Sequence, residues 1–306
     1  MPPAPKMAQR RTDIDTLRAI ACIGLVSYHV VGNSPQSGME LAPDHWLNII
    51  NMSLIDLRMP LFSFLSGLVL LTLSRDTKAW LCAAKKARRL MVPMLSVGTL
   101  FWGLRDAMGY EQIALLHIVV LPFAHFWFLQ ATLLIVAVFL ALNWALGGRH
   151  LAAALIMGGA GAFAHVAGLR PDVNVFSVAM ACKLMPFFAA GYLVGQSKLW
   201  AAPAQIWLRF CAGAVLGVGV TVGSALALDW ITLEGEARRS VGLALGMSFC
   251  LALIVLRPRH GGLARIGAYS YSVYLFHVFF TAGSLMVLER VMPGGPSAVI
   301  WGGAMM

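Results

Sequence analysis

Stretches of about twenty mostly apolar residues follow one another along this chain, near 14–33, 52–73, 91–108, 125–146, 151–169, 176–196, 208–228, 239–256 and 266–288. A helix satisfies its own backbone hydrogen bonds, and ~20 residues rising 1.5 Å each cover the hydrocarbon core of a bilayer. The pattern predicts an all-α, polytopic bundle of about 10 transmembrane helices, in a single domain over 1–306. The apolar tail from Ala298 stops at Met306, about half the length a crossing needs, so a tenth helix is expected to be cut short or re-entrant. The stretch 112–122 is also too short and is read as surface-lying or re-entrant. Only 12% of residues are charged, where a soluble domain carries about 25%.

The net charge of +10 would suggest nucleic acid on a soluble protein. Here the basic residues sort by side. With a cytoplasmic N-terminus, fifteen of the 23 lysines and arginines fall inside. Arg105, Arg170, Arg238, Arg239 and Arg290 fall outside, and Arg18, Arg58 and Lys183 lie within spans. The excess therefore reports topology in a multi-pass protein of the inner (plasma) membrane, and nucleic acid is not an expected partner. Arg18 interrupts the first apolar run and no small-x-small site follows it, so this span is expected to stay attached as a helix. The five cysteines read as small packing residues, with Cys22 the one to watch.

The first span reads DTLRAIACIGLVSYH over 15–29. Arg18 and His29 are eleven positions apart, which at ~100° per residue puts them on one face, ~16 Å apart along the axis. Asp15 and Cys22 fall near the same stripe. A charge facing lipid at mid-bilayer costs about 2.5–3.5 kcal/mol even on the lenient scale, so the stripe should face a polar interior. His29 is a candidate general base and Arg18 a candidate phosphate ligand, with Asp15 orienting it one turn away. The same residues would also serve as an interhelical hydrogen-bonded network.

Four further groups are candidates. Asp56 and Arg58 open the second span, two apart and so facing different sides, and Lys183 is a candidate partner for Asp56, the group reading either as a buried ion pair fixing two helices or as a substrate site. The run KKARRLMVP concentrates Lys85, Lys86, Arg88 and Arg89 before the third span, as a positive-inside cluster or a polyphosphate patch. His125 beside Trp127 suits a sugar or lipid head group, or an aromatic belt. In IGAYSYSVYLFHVFF, residues Ser270, Tyr274, His277 and Thr281 share a helical face that must look inward. Ser66, Tyr274 and His277 are candidate oxyanion donors. Glycines at 213, 217, 219 and 223 and the run GGAGA at 158–162 are spaced for close helix approach. Nucleotide-loop and metal-ligand spacings are absent, so no metal is expected.

Taken in order, IDTLRAIACIGLVSYH, RMPLFSFLSGLVL, ARRLMVP, HFWFL, MPFFAAGYLVG and IGAYSYSVYLFH resemble the acyltransferase 3 family of integral membrane O-acyltransferases along almost the whole chain. The resemblance implies a cytoplasmic acyl-CoA donor, chiefly acetyl-CoA, used as a substrate with no permanently bound cofactor. It implies as acceptor a hydroxyl of a surface glycan or a lipid-linked sugar, with membrane lipid and polysaccharide-assembly proteins as further partners. By that resemblance His29 corresponds to the essential base and Arg18 to its partner in an Arg-x10-His motif. Lys85 with Arg88, or Lys86 with Arg89, would stand for the basic pair, a lysine replacing its first arginine.

The expected chemistry is direct acyl transfer, His29 taking the hydroxyl proton as the oxygen attacks the thioester. A two-step route through His29 or Cys22 is the variant. A transporter of a glycan or small anion is the rival from another class, favoured by the buried charges Asp56, Arg58 and Lys183. The absence of a repeated charge pattern in a second half counts against it.

Overall fold

A computed structural model describes residues 11–32, 38–39, 41–70, 78–109, 114–197, 205–293, 295 and 297–305, with backbone alone at 78–83, 85, 86, 289 and 298. Among them there is no strand. The helices are α1 (Thr12–Val31), α2 (Trp46–Ser53), α3 (Arg58–Leu68), α4 (Lys78–Ala107) and α5 (His117–Val120). A 3-10 turn over Ala124–Phe126 then leads into α6 (Trp127–Ala145), followed by α7 (His150–Val166) and, after a second such turn, α8 (Val178–Gln196). The chain continues through α9 (Ile206–Ala227), α10 (Gly235–Leu256), α11 (Gly261–Ala268), α12 (Ser270–Val291) and α13 (Ser297–Met305).

Seven helical stretches among the described residues are long and apolar enough to cross a membrane. The other two sequence spans take different forms. The one at 91–108 lies inside α4, a helix of 30 residues that also carries the basic run. The one at 151–169 becomes α7, which is apolar but only 17 residues long.

Side-chain contacts fix the direction of each helix. Cys22 lies against the carbonyl of Ser270, and the His29 ring lies against that of His277. Seven residues separate the pair on each helix, so α1 and α12 run the same way and in register. The first half of α4 meets α12 at Tyr271 and its second half meets it at Phe279, giving it the same direction. α3 and α6 run the opposite way, with Arg58 and His125 at the level of Tyr28 and His277 but Ser66 and Thr132 at the level of Arg18. We call the end holding Arg18 the lower end and the end beyond His29 the upper.

Close contacts are set by glycines. At Gly67 an added Cβ would strike the Phe188 carbonyl, and at Gly191 it would strike that of Phe64, so α3 and α8 touch backbone to backbone. At Gly267 it would strike the Asp15 carbonyl, which puts α11 hard against the first turns of α1. Of the glycines singled out by spacing, Gly219 and Gly223 meet Phe249 and the Ser53 carbonyl, and Gly158 and Gly161 meet α8, while Gly213, Gly217 and Gly159 face open space.

The fully buried Gln130 holds the short segment before α6. Its Nε2 donates to the carbonyls of Ile118, Val119 and Leu121 at 3.0, 3.1 and 3.0 Å, and its Oε1 accepts from Ser177 at 2.6 Å. These bonds satisfy carbonyls that a helix of four residues cannot satisfy itself. α13 folds back along α12 and α1, and its Trp301 indole donates to Ser27 at 3.0 Å, so the apolar tail is a returning helix.

Candidate active site

The lower end of the bundle holds a cavity of about 450 Å³, lined by Arg18, Ser66, Arg89, Tyr271 and Tyr274 among apolar residues of α3 and α6. Two guanidinium-bearing residues from different helices therefore share one recess. The Arg18 Nη1 donates to the Asp15 carboxylate at 3.1 Å, with Asp15 buried and the Arg18 side chain one-third exposed. An arginine fixed by a buried acid keeps part of its fork free for a second anion. Arg89 and Arg88 also border a shallower recess beside Pro93. Pro93 lacks an N–H, so the Arg89 carbonyl four residues back has no helical partner, and the Tyr271 hydroxyl donates to it at 2.9 Å. That bond locks α4 to α12 at the rim of the cavity. The side chains of Lys85 and Lys86 lie outside the described residues.

Tyr274 connects this cavity to a cluster of imidazoles above it. Its hydroxyl donates to the His125 carbonyl, and its own carbonyl lies 2.8 Å from His277 Nδ1. The His277 ring stands between two others, with centroids 4.8 Å from His29 and 4.9 Å from His125. His125 and His277 are buried and His29 is half-buried. His125 Nε2 lies 3.2 Å from the Leu275 carbonyl, while His125 Nδ1 and His277 Nε2 are buried without partners among the described residues. The three histidines come from α1, the turn before α6, and α12, far apart in sequence.

Of the remaining candidates, Ser66 and Arg58 adjoin this line and the others lie apart from it. Ser66 lines the cavity, but its hydroxyl donates to the Phe62 carbonyl at 2.8 Å. Arg58 is buried with its guanidinium 3.9 Å from the centre of the Tyr28 ring, and its Nη1 has no hydrogen-bond partner among the described residues. Trp127 stands edge-on to Phe128. Asp56 does not pair with Lys183; its carboxylate binds Arg238 Nη2 at 2.9 Å. Gly246 brings α10 against the Asp56 carbonyl, and Gly242 sits beside the Asp56 carboxylate, one turn from Arg238 on the same face. The half-buried Lys183 forms no ion pair among the described residues. Cys22 borders a separate groove of about 620 Å³ between α1, α12 and α13, where His277 also appears.

Spacing along the sequence missed Tyr271, Gln130 and Arg238. Tyr271 sits one turn before Tyr274, so the inward face drawn through Tyr274 and His277 included its position. Nothing marks Gln130 or Arg238, whose partners are fixed only when helices meet.

The acyltransferase 3 family model, described as an acyltransferase domain, matches residues 11–306. The chain belongs to this family of membrane acyltransferases. No curated protein and no solved structure matches it.

Proposed function

We propose that this membrane acyltransferase moves an acyl group, chiefly acetyl, from cytoplasmic acyl-CoA to a hydroxyl of a glycan or lipid-linked sugar, in the plasma membrane, with the N-terminus inside. Arg18 and Arg89, with Arg88, Lys85 and Lys86, take the CoA phosphates at the lower end. The pantetheine arm rises past Tyr274, covering the ~16 Å that separate Arg18 from His29 along α1. His29 removes the hydroxyl proton as the oxygen attacks the thioester carbon. Ser66 and Tyr274 are candidate donors to the developing oxyanion, each by turning its hydroxyl from the carbonyl it binds, while Asp56, Arg58, His125, Trp127 and Lys183 are candidates for contact with an acceptor approaching from the upper side.

The observation that carries the reading is a two-arginine cavity separated by a single side chain, Tyr274, from an imidazole cluster containing His29. Phosphate recognition at one end and a proton acceptor at the other are the two needs of an acyl-CoA transferase. Replacing His29 by Ala should abolish acetylation of the glycan fraction while the protein still accumulates in the membrane. Acetylation retained by that variant would falsify the base assignment. Free CoA released by the purified wild type separates a transferase from a transporter, since a transporter consumes no thioester.

A further inference from the structure

The acyltransferase reading assigns proton removal to His29 but leaves open where that proton goes. We propose that His277 is a second proton-carrying residue of the reaction: it takes the proton from His29 and returns it to the leaving thiolate. The proposal rests on the acyl-transfer reading and adds a residue to it.

The hydrogen bonding of the ring decides its tautomer. A backbone carbonyl only accepts, so His277 Nδ1, at 2.8 Å from the Tyr274 oxygen, carries the ring hydrogen. The Nε2 of the neutral ring then holds a bare lone pair. That atom is buried with no partner among the described residues, in a residue 4% exposed. Leaving such an acceptor unsatisfied is unfavourable, and a buried polar atom without a partner requires a reason. A proton that arrives during turnover supplies one.

Position points the same way. The His277 ring is 4.8 Å from that of His29. One turn below it, Tyr274 lines the donor cavity, and His277 itself borders the groove between α1, α12 and α13. It is thus next to the base, the thioester path and a second recess at once. His125, 4.9 Å away on another side, has its Nε2 directed to the Leu275 carbonyl. Its ring contacts are with His277 and aromatic neighbours.

The step balances. The hydroxyl oxygen forms a bond to the carbonyl carbon and the carbon–sulfur bond breaks. The hydroxyl proton passes to His29, then to His277 Nε2, then to the sulfur, which leaves as the CoA thiol. Both imidazoles end neutral.

Asparagine separates this role from a structural one, because its amide N–H reproduces the Nδ1 donor to Tyr274 but cannot accept a proton. Membranes from a host lacking the gene carry the native acceptor. They are complemented with wild type, His277→Asn, His29→Asn or the double variant and given radiolabelled acetyl-CoA. His277→Asn should lower the maximal rate of transfer at least about tenfold, and on the order of 100-fold, with the KM for acetyl-CoA within about threefold. The double variant should be no slower than the worse single, because residues of one relay fail together. A fall of less than about tenfold, a loss confined to KM, or two losses that multiply overturns the proposal. If His277→Asn does not accumulate in the membrane, His277→Gln is judged by the same criteria. Failure of the wild type to transfer acetyl would instead overturn the acyltransferase reading.

Discussion

At the scale of single residues, Arg18 is held by an acid one turn below it, leaving a planar fork at the edge of the cavity. A lysine there would keep the charge and lose the paired geometry that suits a phosphate. Arg18→Lys should therefore raise the KM for acetyl-CoA about tenfold, equal to ~1.4 kcal/mol of donor binding, with a smaller change in kcat. Initial-rate measurements over a range of donor concentrations check it, and an unchanged KM would remove Arg18 from the donor site. The pairing of Asp15 with Arg18 was readable from sequence because both sit on one helix, three positions apart. The partner of Asp56 was not. Arg238 lies on α10, and only the approach permitted by Gly242 and Gly246 brings it to the carboxylate instead of Lys183.

At the scale of elements, the long helices were visible as apolar stretches, but not which helix touches which. Glycine spacing on α9 points to a contact face, and Gly219 and Gly223 make close contacts while Gly213 and Gly217 meet nothing among the described residues; Gly67, Gly191 and Gly267 make backbone contacts that no spacing marks. A small residue permits close approach; the partner decides whether it happens. The two kinds of glycine should respond oppositely to one methyl group. Gly267→Ala would push α11 from the Asp15 carbonyl and disturb the turn that presents Arg18, costing about 1–3 kcal/mol as overpacking does. Gly213→Ala adds helix propensity on an open face and should be neutral or stabilising by up to ~1 kcal/mol. Thermal unfolding in one detergent, with both variants against the parent, measures the contrast. Equal melting temperatures would mean that α11 does not pack against the Asp15 carbonyl through Gly267.

At the scale of the whole molecule, the helix directions give the basic residues two addresses. Arg11, Arg88, Arg89, Arg149, Arg257, Arg259 and Arg265 lie toward the lower end, whereas Arg105, Arg170, Arg238, Arg239 and Arg290 lie toward the upper. The side-by-side sorting made from sequence needs only the positions of loops, which is why it was legible without any contact. What it could not supply is the depth of the imidazole cluster relative to the arginine cavity, which depends on the parallel register of α1 and α12. Since positive charge is retained on the cytoplasmic face, the lower end, and the cavity with it, should face the cytosol. Asp172, before α8, and Gln205, before α9, are exposed at opposite ends. In a cysteine-free background of intact cells, a membrane-impermeant thiol reagent should label Asp172→Cys at once and Gln205→Cys only after permeabilisation. The reverse pattern would turn the arginine cavity away from cytosolic thioester, and a donor site there would have no donor to bind.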